Sequence, residues 1–216
     1  LPVSTSTMES LEALYDATGG DDWNTAKIES NLVEELGIDS HNIGWNFTKD
    51  LDGNYLNLDN VCSSWIGLNC TGDSITYILL ESGNLNGTLP AQVGSLTGLT
   101  NLNVDDNSLS GTIPPELGNL VNMQQLYLQN NALTGTIPPE LGNLENAVDL
   151  YLYSNSLTGT IPSSLGSLSN CWGLKVFENH LTGTIPPELG SLTSMRYLYL
   201  EKNSLTGTIP PELGNL

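Results

Sequence analysis

The 216-residue sequence predicts an α/β solenoid of six stacked repeats, and three regularities carry that expectation. The first is a strict period: Gly87, Gly111, Gly135, Gly159, Gly183 and Gly207 fall 24 residues apart, each followed by Thr and, three residues on, by Pro. The second is a set of apolar columns, Ile78, Leu102, Leu126, Leu150, Leu174 and Leu198 being one and Leu80, Val104, Leu128, Leu152, Val176 and Leu200 the next. The third is a polar column inside the apolar frame, Asn107, Asn131, Asn155, Asn179 and Asn203, where the first unit has Gly83 instead. Self-similarity at such a period marks an array in which no unit buries its apolar face alone, so stacking makes the core.

Each column has a physical reading. The alternation of the two apolar columns puts them on one face of a short strand and the residue between on the other. Strands of successive units then pair in parallel. An interior Asn can bond the backbone groups that the following turn leaves unpaired, so the Asn column should form a ladder that starts at Asn107. After each Pro come two further apolar columns, Val93 to Leu213 and Leu96 to Leu216. A preceding Pro suits the first turn of a short helical piece on the outer side.

The units read L-x-x-L-x-L-x-x-N-x-L, the leucine-rich-repeat pattern. Segments such as LTGTIPPELGNL, over residues 75–216, resemble the plant-type leucine-rich repeat of receptor-kinase ectodomains, polygalacturonase-inhibiting proteins and related algal proteins. The resemblance implies a right-handed solenoid with a second sheet, formed by the L-x-G-x-I-P segments, beside the concave one. Residues 1–74 do not repeat. Ser6 with Glu9 reads as a capping box, Met8, Leu11, Leu14 and Tyr15 share a helical face, and Gly19-Gly20 ends the helix. LEALYDATGGDDW followed by CSSWIGLNC resembles the N-terminal cap of the same family, which implies a Cys62–Cys70 disulfide and an oxidising compartment. Such a bridge contributes about 2–3 kcal/mol. The stretch between Trp23 and Cys62 is longer than the family's; it holds a candidate second helix (Ile28, Leu32, Leu36) and a polar run through Asp50, Asp52, Asn54, Asn57 and Asp59.

Charge narrows the partners. Five Lys and Arg stand against 24 Asp and Glu, a net charge of -19, which argues against nucleic acid and anionic membranes as partners. No apolar run is long enough for a membrane-spanning helix. The first residue, Leu1, fits a chain from which a leader has been removed. Sequons at Asn46, Asn69 and Asn86 fit a secretory route, extracellular or at the cell surface. The chain stops at Leu216 without a terminal capping sequence, so further repeats or a covering partner are expected there.

Catalytic chemistry finds little support, and neither a cofactor nor a metal is expected. Cys171 and His180 would have to face each other to act as nucleophile and base, but Cys171 falls in a core column and His180 in a surface one. The Asp50–Asn54 stretch has its Gly too early for an EF-hand loop.

The outward columns of the strands are more informative. Gln125, Tyr127, Tyr151, Lys175, Tyr197 and Tyr199, with Asp105, Gln129, Tyr153, Phe177 and Glu201 two residues on from the middle column, form an aromatic stripe with acidic residues at both ends. Interfaces are enriched in such aromatics, although aromatic pairs on a sheet also stabilise it. The stripe predicts a concave face that binds a protein, peptide or glycan. Thr columns on the lateral side, Thr134, Thr158, Thr182 and Thr206 and, two residues on, Thr88, Thr112, Thr136, Thr160, Thr184 and Thr208, offer a second reading as an ice-binding face. Thr also simply suits strands. A structural subunit of a larger assembly is a third.

Overall fold

The computed structural model describes residues 3–24, 52, 54, 61, 67–72 and 74–216. The chain opens with helix α1 (Thr5–Ala17). Met8, Leu11 and Leu14 are fully buried on one face, as the helical spacing predicts. The N-cap is Ser4, whose hydroxyl accepts the Thr7 N–H at 3.1 Å; Ser6 lies within the helix, and its carbonyl accepts the Ser10 hydroxyl. The capping box expected at Ser6 and Glu9 is therefore displaced by a better-placed hydroxyl two residues earlier. At the other end Gly19 takes a left-handed φ of 69°, and Trp23 returns its indole N–H to Thr18 O at 3.1 Å.

Nine strands follow among the described residues: β1 (Leu68–Thr71), β2 (Ser74–Leu79), β3 (Asn86–Thr88), β4 (Asn101–Asn103), β5 (Ser108–Ser110), β6 (Gln125–Tyr127), β7 (Asp149–Tyr151), β8 (Gly173–Lys175) and β9 (Tyr197–Tyr199). Seven form one sheet in the order β1-β2-β4-β6-β7-β8-β9. The β1–β2 pair is antiparallel, and every later pair is parallel. The parallel register sets each residue beside its counterpart 24 positions on: Leu102 faces Leu126, then Leu150, then Leu174. The strand columns read in the sequence, such as Ile78 to Leu198, are thus physical rows across the sheet. The lateral sheet is short, β3 pairing β5, and isolated bridges at Thr112–Thr134 and Thr136–Thr158 extend it.

The outer side carries five-residue 3-10 turns, Pro115–Asn119 being typical, with Pro at the first position and Leu117 and Leu120 fully buried. The rungs pack tightly here. A Cβ on Gly118 would lie 2.4 Å from the carbonyl oxygen of Glu140, so no larger residue fits without separating two rungs. On the lateral side Gly135 has φ 75°, a conformation only glycine adopts freely.

The Asn ladder begins at Asn107. Asn155 shows its logic: the side-chain amide donates to Leu128 O, Leu152 O and Tyr153 O at 3.0–3.2 Å, and Oδ1 accepts the Leu133 N–H at 2.9 Å. One side chain so joins two rungs, its own and the preceding one, and leaving such partners unsatisfied costs about 1–3 kcal/mol each. At the first rung the cap takes over this role. Gly83 O accepts the Asn24 N–H at 2.7 Å, and Asn84 Nδ2 donates to Asp22 O at 3.0 Å. Helix α1 packs on the 91–95 turn and on β3, covering the end of the core.

Candidate concave recognition face

The residue that follows each strand by three positions turns the chain inward with a left-handed backbone: Ser82, Asp106, Asn130, Ser154, Glu178 and Lys202 all have φ of 51–54°. This turn fixes which side chains stand on the solvent side of the sheet. Two distinct surfaces result.

Toward the N-terminal end the outward side chains are amides and acids that bond one another. Asn101 Nδ2 donates to Gln125 Oε1, and Gln129 Nε2 donates to Asp105 Oδ2. Asn103 Oδ1 accepts the Asp105 N–H at 3.1 Å. Asp105 and Gln129, expected in the open stripe, are buried, at 8% and 5% exposure, because they lie down against their neighbours. A cavity of about 350 Å³ sits above this region, between Tyr77, Asn101, Asn103, Gln125 and Tyr127. Carboxylate oxygens of Glu81, Asp105 and Asp106 come within 4.8 Å of one another, which gives this end negative charge.

Toward the C-terminal end the side chains are rings. Tyr127 stacks on Tyr151 with centroids 4.8 Å apart, and Tyr153 stacks on Phe177 at 4.3 Å. Edge contacts join Phe177 to Tyr199 and Tyr199 to Tyr197 at 6.2 and 6.3 Å. The sequence-predicted rings are therefore one continuous run. Asp149 holds the first stack, its two oxygens accepting the Tyr127 hydroxyl at 3.2 Å and the Tyr151 hydroxyl at 3.0 Å. Burial, then the Asp149 charge, pushes the Tyr151 phenol well above its usual range. Gly173 makes the room: a Cβ there would lie 2.7 Å from Asp149 Oδ1 and 2.9 Å from the Tyr151 ring. Lys175 Nζ lies 4.0 Å from the Tyr151 centroid.

The rings differ in access. Tyr127, Tyr151, Tyr153 and Phe177 are half-buried in their own stacks, whereas Tyr197 and Tyr199 are 50% and 40% exposed. Glu201 is exposed at the end of the run. Two residues outside the sequence-predicted stripe lie beside its end, where Trp172 O accepts the Tyr197 N–H at 2.9 Å: Trp172, 47% exposed, and Arg196, whose Cζ lies 4.5 Å from the Trp172 ring centroid. Their column reads Thr76, Thr100, Gln124, Val148, Trp172 and Arg196, and a lone Trp beside a break to Gly in the next column was the available signal.

Other expectations find their places. Cys171 is a free thiol, fully buried, and burial followed by the Asp149 charge pushes it up to about 12; His180 is exposed, so the two form no dyad. Cys70 is disulfide-bonded, and Cys62 lies outside the described residues. Asn86 is exposed at the start of β3, whereas Asn69 is half-buried in β1 with its Oδ1 accepting the Cys70 N–H at 2.7 Å. Asn46, the candidate second helix and Asp50, Asn57 and Asp59 lie outside the described residues, while Asp52 and Asn54 are exposed. Both Thr columns are exposed; Thr134, Thr158, Thr182 and Thr206 donate their hydroxyls to Gly carbonyls of the preceding rung at 3.1–3.3 Å. No helix among the described residues is long and apolar enough to cross a membrane.

Comparisons with known proteins agree with this architecture. The family profile described as Leucine Rich Repeat matches residues 98–120, 122–144, 146–168 and 194–216. A pollen receptor kinase 3 structure is 30% identical with a TM-score of 0.67, over 79% of this chain and 84% of that one. The Arabidopsis receptor kinase HAESA, solved with the peptide hormone IDA and the co-receptor SERK1, is 34% identical with a TM-score of 0.67, over 73% of this chain and 28% of that one. The ectodomain of the Arabidopsis thaliana receptor kinase GASSHO1/SCHENGEN3, in complex with CASPARIAN STRIP INTEGRITY FACTOR 2, is 41% identical with a TM-score of 0.63, over 64% of this chain and 17% of that one. The chain thus spans less than a third of the length of these last two. A comparison with curated proteins found no significant match. The repeat register, the parallel sheet and these likenesses together place the chain in the leucine-rich-repeat family, among proteins of the plant receptor-kinase ectodomain type.

Proposed function

We propose that this chain is a non-catalytic, extracellular recognition module that binds a protein, peptide or glycan ligand on its concave face. One observation carries the reading: the run of rings from Tyr127 to Tyr199 on the solvent side of the sheet ends in residues that stay open to water. Exposed aromatic side chains on a rigid sheet are the usual anchors of an interface, and truncating such an anchor costs about 2 kcal/mol or more. The relatives support it, since HAESA was solved with the peptide hormone IDA and GASSHO1/SCHENGEN3 in complex with CASPARIAN STRIP INTEGRITY FACTOR 2. In this reading residues 1–74 are a cap with a Cys62–Cys70 bridge, Asn86 is the most accessible described sequon, and the solenoid at 75–216 does the binding.

The test is capture from a native extracellular fraction by wild type, by Tyr151→Ala with Tyr153→Ala, and by Thr136→Ala with Thr160→Ala. The expected outcome is a ligand lost only in the Tyr variant. Ice-recrystallisation inhibition that disappears only in the Thr variant would overturn the reading in favour of an ice-binding face.

A further inference from the structure

The described residues contain three basic side chains, and all three sit on the last two rungs: Lys175, Arg196 and Lys202. Lys202 pairs with Glu178, an exposed ion pair. The other two behave differently. Among the described residues neither Lys175 nor Arg196 pairs with a carboxylate, although the chain carries 24 acids. Each rests on a ring instead. Arg196 lies over Trp172 at 4.5 Å, and Lys175 lies over Tyr151 at 4.0 Å while staying 5.9 Å from the Tyr197 centroid and 5.6 Å from that of Tyr199. A ring face attracts a cation weakly and leaves its outer side free for an anion. The same corner holds the exposed rings Trp172, Tyr197 and Tyr199.

We propose that this corner binds an acidic oligosaccharide, its sugar rings stacked on Trp172, Tyr197 and Tyr199 and its carboxylates on Arg196 and Lys175. The proposal rests on the recognition role of the concave face. Charge complementarity selects the class: two cations without a carboxylate partner lie against rings beside the exposed Trp172, Tyr197 and Tyr199, which fits a ligand whose flat units each carry a charge. A pyranose presents an apolar C–H face to an aromatic ring and a uronate carboxylate at its edge, the arrangement that puts both groups in reach at once. A single acidic side chain of a peptide would occupy one cation and leave the other rings uncovered. The net charge of -19 excludes polyanions that span the whole surface, but a short oligosaccharide touches only this corner. Charges beyond about 8 Å are largely screened at physiological salt.

The probe is oligogalacturonate, titrated by calorimetry beside its neutral methyl ester and a poly-glutamate peptide. Wild type should bind the uronate and neither of the other two. Lys175→Gln with Arg196→Gln should weaken binding by about tenfold or more, since charge-assisted bonds are the strong ones. Tyr197→Ala with Tyr199→Ala should weaken it likewise, whereas Lys202→Gln should not. Circular dichroism checks that each variant folds. Equal binding of the methyl ester, binding of poly-glutamate in place of the uronate, or no binding of any probe would each overturn the proposal. If the captured natural ligand is still lost in the Tyr151→Ala, Tyr153→Ala variant while the uronate fails, the acidic-glycan assignment falls and the recognition role stands. If nothing is captured and the uronate fails, both fall.

Discussion

The two halves of the concave sheet share one backbone, one register and one inner ladder, yet their outer surfaces are unlike. In the N-terminal half Asn101, Asn103, Asp105 and Gln129 lie flat and bond one another, so groups that look accessible in the sequence are withdrawn from solvent. In the C-terminal half rings stack across rungs and finish in Tyr197 and Tyr199, which project into water. Amides and carboxylates satisfy each other at short range and close a surface. Rings satisfy each other only face to face or edge to face, so the last ring in a row always leaves a side uncovered. A single β-scaffold can so carry a quiet half and a sticky half by side-chain choice alone.

The largest effect should ignore this division. Asn131 lies beneath the polar half and Asn155 beneath the aromatic half, and both make three donor bonds and accept one. Replacing either by Ala should destabilise the fold by about 3 kcal/mol or more, given 1–3 kcal/mol for each unsatisfied partner. Asn143, exposed on the outer turn, should tolerate Ala with almost no change. Denaturant midpoints decide it; similar midpoints for all three variants would remove the ladder from the account.

The next effect should separate the halves. Tyr197→Ala with Tyr199→Ala should cut ligand affinity by about 2 kcal/mol or more while leaving the melting temperature near wild type. Asn103→Ala should do the reverse, loosening the polar half without touching affinity. A binding loss in the Asn103 variant would mean that the ligand spans both halves.

A third measurement probes how the aromatic half is held. The Tyr151 phenol and the Cys171 thiol are both pushed up by burial. In each case the folded state keeps a proton that the unfolded chain releases first. That contribution is intact below the unfolded pKa and is lost as pH rises, from about 9 toward about 12 for Cys171 and above about 10 for Tyr151. Stability should therefore decline in that window, less steeply in Tyr151→Phe and Cys171→Ala. Parallel alkaline curves for wild type and both variants would rule these groups out. Native Cys171 should also resist alkylation that proceeds readily in denaturant.

The smallest effect concerns the left-handed turn that ends every rung on both halves. Ser82 carries a φ of 53°, where a Cβ is disfavoured. Ser82→Gly should raise stability by about 0.5 kcal/mol, the relief of that strain being partly offset by the greater freedom of glycine in the unfolded chain. A clear loss would show that the Ser82 side chain has a role of its own.

The amino-acid sequence alone determined the solenoid, its rows and its ladder. A fixed period converts directly into neighbours in a parallel sheet, so Leu126 beside Leu150 and Asn131 beside Asn155 were legible before any coordinate. It also placed Tyr127, Tyr151, Tyr153, Phe177 and Tyr199 on one surface. The tertiary structure alone decided what those surfaces became. That Asp105 and Gln129 are buried, that one Asp149 carboxylate ties two Tyr hydroxyls, and that Gly173 leaves room for Tyr151 all depend on side-chain rotamers between rungs, which no periodicity encodes. The same holds for Trp172 and Arg196, whose pairing crosses from one rung to the next, and for the N-cap, where Ser4 prevailed over Ser6 because its hydroxyl met a free backbone N–H. Rows follow from spacing; contacts within and between rows follow from packing, and there the physical competition among near-equal polar and aromatic partners is settled only in three dimensions.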